Sequence, residues 1–145
     1  MAVAEQDVWS GSPSQAINAG KFALCALATL TGFLAIFALP YAIWIWLVVK
    51  NMRYEVTTQR VRFHSGVLNK VTDELELYRV TDTRFEQPFF LRLFGLGNVV
   101  IISSDSTTPT QVLKALKDGG PLRERIRALV EERRDQKRVR VAEFE

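Results

Sequence analysis

The stretch FALCALATLTGFLAIFALPYAIWIWLVV, residues 22–49, carries no ionised side chain, and its reading decides how the rest of the chain is placed. A bilayer hydrocarbon core about 30 Å thick is crossed by roughly 20 apolar helical residues, so the run is long enough to span. A cleavable leader would start with positive charge and hold a shorter apolar stretch of about 7–15 residues. Here Glu5 and Asp7 come first and the first cation is Lys21. Trp44 and Trp46, near one end of the run, match the aromatic belt of a lipid interface. The expectation is an N-terminal segment over residues 1–14 followed by a membrane anchor of one or two transmembrane helices over residues 15–50.

Two arrangements of the anchor stay open. A single helix at about 1.5 Å per residue would reach roughly 42 Å and would need a tilt or kink, which Pro40 supplies. A hairpin turning near Thr31-Gly32 would use residues 14–50 as two legs of roughly 16 residues, each shorter than the usual ~17–25. Lys50 and Arg53 direct the following domain to the cytoplasm by the positive-inside tendency.

Removing the anchor leaves about 95 residues, enough for one domain over residues 51–134 and a charged tail over 135–145. The single cysteine, Cys25, excludes an internal disulfide. The formal charge is +3, with cations gathered at Lys50, Arg53, Arg60 and Arg62 and again at Arg133, Arg134, Lys137, Arg138 and Arg140. That distribution suits an anionic leaflet better than nucleic acid, because Glu124, Glu131, Glu132 and Asp135 are interspersed in the final helix.

Within the domain, residues 54–57 and 60–64 alternate apolar and polar about a Thr58-Gln59 turn, so Tyr54, Val56, Val61 and Phe63 should face inward. Ser65-Gly66 turns, Val67-Leu68 begins a short return, and Leu75, Leu77 and Val80 carry period-two burial. Residues 81–87, 98–103 and 110–116 read as further strands, the β-branched 98–103 as central. Pro121 opens a helix with Leu122, Ile126, Leu129 and Val130 on one face. The tail from residue 136 onward lacks apolar periodicity and is expected to fray. About seven short strands and a helical lid define a mainly β sandwich or partly open barrel.

An ordered set of residues carries a resemblance: Tyr54, Thr57, Arg60, Gly66, Glu74, Glu76, Arg79, Val80, Asp82, Gln87, Arg92, Gly95 and Gly97, then Val99-Val100-Ile101. Together with Trp9-Ser10-Gly11-Ser12-Pro13-Ser14 ahead of the anchor, it resembles the bacterial pleckstrin-homology (PH) membrane proteins of the YdbS type. The resemblance implies a PH-like seven-stranded open barrel with a C-terminal α-helix, and often two membrane passes, which favours the hairpin. It assigns Tyr54, Thr57, Arg60, Gly66, Arg79, Asp82, Gln87, Gly95 and Gly97 structural roles and implies no settled activity.

The inventory for chemistry is poor. His64 is the only histidine, and its neighbour Ser65 points to the opposite strand face. One Cys and one His make no conventional zinc site. Gly95-Leu96-Gly97 lacks the third glycine of a dinucleotide fingerprint and precedes a strand, so it reads as a turn. Glu74 and Glu76 share an outer strand face. No catalytic residue, cofactor or metal is expected.

Binding is the better expectation. Eukaryotic PH domains that grip phosphoinositides commonly use a basic loop between their first two strands. Taking residues 54–57 and 60–64 as those strands leaves only Thr57-Thr58-Gln59, too short for such a cradle. Lys50, Arg53, Arg60 and Arg62 remain candidates for weak contact with anionic phospholipid. Phe89, Phe90, Leu91 and Phe94, beside Arg92, are read first as core and otherwise as a membrane or partner contact. The expected role is a non-enzymatic scaffold or adaptor at the bacterial inner membrane, facing the cytoplasm and holding a protein partner or copies of itself. An anionic headgroup sensor is the alternative.

Overall fold

Period-two burial builds two antiparallel sheets in the computed structural model, which describes residues 4–143. The first sheet has the order β1-β2-β3-β4, formed by Asp7–Gly11, Arg53–Thr57, Arg60–Ser65 and Val71–Glu76. The second has the order β5-β6-β7, formed by Val80–Glu86, Gly97–Ser103 and Thr110–Leu116. Helices α1 (Ala19–Thr29) and α2 (Ala35–Lys50) lie between β1 and β2, α3 (Phe89–Leu93) lies between β5 and β6, and α4 (Gly119–Glu143) closes the chain.

The core sits between the sheets. Tyr54, Val56, Val61, Phe63 and Leu75 from the first meet Val80, Val99, Ile101 and Leu113 from the second, and Leu122, Ile126 and Val130 of α4 cover the open end. Inward residues alternate along β2 and β3, and the partners Tyr54↔Phe63 and Val56↔Val61 stand opposite each other. β6 is the middle strand of its sheet, as its β-branched run requires.

Several expectations need correction. β1 lies in the N-terminal segment and pairs with β2, placing Trp9 opposite Val56 across more than forty intervening residues. Its apolar pattern is too brief to announce a strand without that distant partner. The strands flanking Thr58-Gln59 are therefore the second and third, and the connection between the first two is the whole apolar helical segment. Val67-Leu68 forms no strand; Leu68 is exposed in the loop before β4. The final helix starts at Gly119 and runs through Glu143, so residues 136–143 are helical where fraying was expected. Residues 1–3 and 144–145, the outer ends of the N-terminal segment and the charged tail, lie outside the described residues.

The apolar run is not one helix kinked at Pro40, and the expected transmembrane helices are not found. The chain turns over residues 30–34, leaving α1 with 11 residues and α2 with 16. At about 1.5 Å per residue the longer leg reaches roughly 24 Å, short of a ~30 Å hydrocarbon core. No helix among the described residues is long and apolar enough to cross a membrane.

Candidate functional site

The two legs pack antiparallel. Asn18, before α1, donates from Nδ2 to the Ile45 carbonyl (3.1 Å), and Gln15 Nε2 donates to the Trp46 carbonyl (2.9 Å), both near the end of α2. Cys25 of α1 and Ala38 and Ile45 of α2 are buried, small or slender residues that let the legs approach. The outer surface is apolar and open: Leu30 is 83% exposed, Phe33 78%, Ile36 70% and Phe37 69%.

Polar groups at the tip are satisfied from within. Thr29 Oγ1 donates to the Ala26 carbonyl and Thr31 Oγ1 to the Ala28 carbonyl, both at 2.6 Å. The N–H groups of Leu30, Thr31, Gly32, Phe33 and Ala35 donate to carbonyls no further away than Leu27 and Gly32. Gly32 takes φ of +67°, which L side chains rarely adopt, and so allows the reversal. The turn thus meets much of its own hydrogen-bonding from within while turning aliphatic and aromatic groups outward.

At the hairpin's base, α3 docks through one residue. Leu91 joins Leu96 and Ala115 in a small cluster against Ala16 and Ile17. The helix ends in a Schellman arrangement, with Leu96 N–H donating to the Leu91 carbonyl (2.8 Å) and Gly95 N–H to that of Arg92 (3.1 Å). Phe89, Phe90, Leu93 and Phe94 are exposed by 57–75%, so the expectation that the phenylalanines are core is corrected. A five-residue helix can bury only one narrow face, and Leu91 takes it. Phe89 and Phe90 meet edge to face at 5.7 Å, and Arg92 is exposed beside them.

The four proposed lipid-facing cations separate into two groups. Arg60 contacts Glu74 (2.9 Å), Glu5 (3.4 Å) and Glu76 (3.9 Å); Arg62 contacts Glu74 (3.0 Å), Glu5 (3.5 Å) and Glu55 (3.8 Å). The hydrogen bond from Arg60, then its charge and the bond from Arg62, hold the Glu74 carboxyl below the usual carboxylate range. Both arginines are thus engaged by carboxylates on the sheet face. Lys50 lies over the Trp46 ring at 4.5 Å, and Arg53 has only a loose contact to Glu55 at 3.7 Å. These two line an open cleft of about 700 Å³ with His64, Lys70, Ser12 and Thr72, at the point where α2 delivers the chain to β2. Sequence reading missed Lys70 in this cleft and Glu5 beside Arg60 and Arg62, because only the loop before β4 and the pairing of residues 7–11 with β2 bring them to those places.

The remaining motif residues make structural contacts. Tyr54 Oη accepts from Lys114 N–H (3.4 Å), joining the two sheets, and burial pushes its phenol pKa up. Thr57 Oγ1 accepts from Arg60 N–H (3.0 Å) and lies 2.8 Å from Glu5 Oε1. Arg79 pairs with Asp105 (3.2 Å), Asp82 Oδ1 accepts from Thr83 N–H (2.8 Å), and Gln87 Nε2 donates to the Leu96 carbonyl (3.4 Å). Gly97 allows close approach of the Phe85 ring. His64 Nδ1 lies 3.0 Å from Thr72 Oγ1 and Nε2 lies 3.5 Å from Glu55, which ties it to the same outer face.

This chain belongs to the Bacterial PH domain family, whose pattern it matches over residues 16–133. The match takes in α1 and α2, so the hairpin is part of the family unit rather than an appendage. Among solved structures the chain is similar to the Vps36 N-terminal PH domain, at 16% identity and a TM-score of 0.48, over 88% of this chain and 80% of that one. No curated protein matches it.

Proposed function

We propose that this chain is a non-enzymatic, membrane-embedded binding module of the YdbS-like kind, which holds a protein partner or a second copy of itself at the cytoplasmic face of the bacterial inner membrane. The observation that carries the reading is the hairpin, an outward-facing apolar surface placed in the connection between the first two strands. That connection supplies a basic loop in phosphoinositide-gripping PH domains; here an apolar wedge occupies it. From Lys21 to the turn the α1 leg rises about 15 Å, half of a ~30 Å hydrocarbon core. Trp44 and Trp46 are partly exposed on α2 towards the base, where Lys50 ends the helix, and Tyr41 is partly exposed midway along it. These features fit a hairpin that enters one leaflet and returns, leaving both its ends on the same side.

The engagement of Arg60 and Arg62 with glutamates weakens the headgroup-sensor reading in its original form. A second reading rests instead on the cleft lined by Lys50, Arg53 and Lys70, whose cations would meet anionic headgroups beside the hairpin. Fractionation of bacterial membranes tests the anchor. Full-length chain should resist a carbonate wash, and Phe33→Asp with Phe37→Asp should release it; retention of that variant would overturn the embedded hairpin. Cross-linking of the full chain in native membranes then separates the roles. A stoichiometric protein adduct supports the adaptor, whereas anionic lipid alone moves the sensor to first place.

A further inference from the structure

We infer that α3 is a second membrane contact, an aromatic foot that lies in the headgroup region of the same leaflet and fixes how the module stands on the bilayer. The inference rests on the embedded-hairpin reading above. Its warrant is continuity: Leu91 and Leu96 share one buried cluster with Ala16 and Ile17, so α3 is braced directly against the hairpin's base. A braced element with Phe89, Phe90, Leu93 and Phe94 all exposed presents a dense apolar patch at the end of the module from which the hairpin leaves. Exposed aromatic residues in a short helix are costly to hydrate, and the interface accommodates them because ring faces sit among the upper acyl carbons.

Charge fits the same placement. Arg92 rides on α3 and Lys50 ends α2, so cations accompany the aromatic groups at the level where phosphates would lie. A rigid second contact removes the rotation that a lone hairpin would allow, and it would hold the cleft of Lys50 and Lys70 in one orientation to the surface. The opposite end of the module provides an internal reference. β6 leaves the α3 side at Gly97 and ends at Ser103, about 20 Å away for seven residues, before the turn that holds Thr107.

Site-specific quenching tests the inference on the full chain in vesicles of phosphatidylethanolamine and phosphatidylglycerol. In a Cys25→Ser background, a fluorophore would be attached in turn to L30C, F90C and T107C, with nitroxide groups carried either at the headgroup or deep in the acyl chain. Leu30, Phe90 and Thr107 are exposed, so these labels leave the core intact. Residue 30 should be quenched by the deep nitroxide, residue 90 by the headgroup nitroxide and residue 107 by neither. Quenching at 30 without quenching at 90 overturns the foot and leaves the embedded hairpin standing; quenching at neither overturns both. Shielding of residue 90 from aqueous iodide without lipid quenching would assign the patch to a protein contact and also overturn the foot. As a second readout, Phe89→Ser with Phe90→Ser should lower vesicle partitioning roughly tenfold. An unchanged partition, with the hairpin label still quenched, would count against it.

Discussion

In the sandwich, Val56, Val61, Leu75, Leu113 and Ile126 are enclosed, while Arg60, Arg62 and Glu74 stand on the outside. In the hairpin, Leu30, Phe33 and Phe37 are outermost, and the hydroxyls of Thr29 and Thr31 turn back onto their own carbonyls. The two regions are inverted. The sandwich encloses its apolar groups and exposes its charges, whereas the hairpin exposes its apolar groups and satisfies its hydroxyls from within, the arrangement that the proposed embedding in lipid requires.

The contrast breaks most visibly at the tip. Asp at Leu30, Phe33 and Phe37 together should abolish membrane partitioning, since each carboxylate costs roughly 2.5–3.5 kcal/mol at the centre of a bilayer and somewhat less near its surface. Thermal unfolding of the sandwich should hardly change, because none of these side chains belongs to its core. Equal loss of sandwich stability would show the two regions to be one cooperative unit. The reciprocal change is Ile126→Ala, which empties a fully enclosed site on the face of α4 that packs against β5 and β6. It should cost about 2–5 kcal/mol in urea unfolding and leave the hairpin's burial in lipid intact.

How much of this could be read from the residues follows the same division. Alternation made β2 and β3 legible, the β-branched run made the central β6 legible, and the spacing of Leu122, Ile126 and Val130 made the lid legible, because each pattern is local. The apolar run left a single kinked helix and a hairpin both open, and the reversal falls near Thr31-Gly32, where the hairpin alternative placed it. β1 was hidden because its partner arrives only after the hairpin. Phe89 and its neighbours were read first as core because hydrophobicity records a preference for leaving water and does not say whether the fold itself encloses the side chain. The pairing of Arg60 and Arg62 needed the cross-strand register that sets Arg62 opposite Glu74.

A smaller effect sharpens the sandwich side. Gly66 has φ of +104°, and a Cβ there would strike the Asn69 carbonyl in the loop joining β3 to β4. Gly66→Ala should cost roughly 1–3 kcal/mol, through backbone strain and the displaced loop. Hydrogen exchange would place the loss in β3 and β4 while the α1–α2 amides keep their protection; equal loosening of the hairpin would contradict the independence of the two regions.

The smallest expected effect concerns pH, and it belongs to the sandwich alone. Glu74 accepts from Arg60 and Arg62, and its folded-state pKa lies below the unfolded value. The contribution is therefore fully present above the unfolded carboxylate value of about 4.3 and is lost as pH falls through the lower folded value. Its size should be well under 1 kcal/mol, because the carboxylate is 42% exposed and solvent screens the pair. Glu74→Gln should flatten that part of the acid limb in urea titrations. Membrane partitioning of the same variant between pH 5 and pH 3 should follow the wild type, since the hairpin tip between Phe22 and Val49 holds no ionisable carboxylate or cation. A divergence there would mean that the Arg60–Glu74 face itself touches the membrane, which would return these arginines to the lipid-facing set.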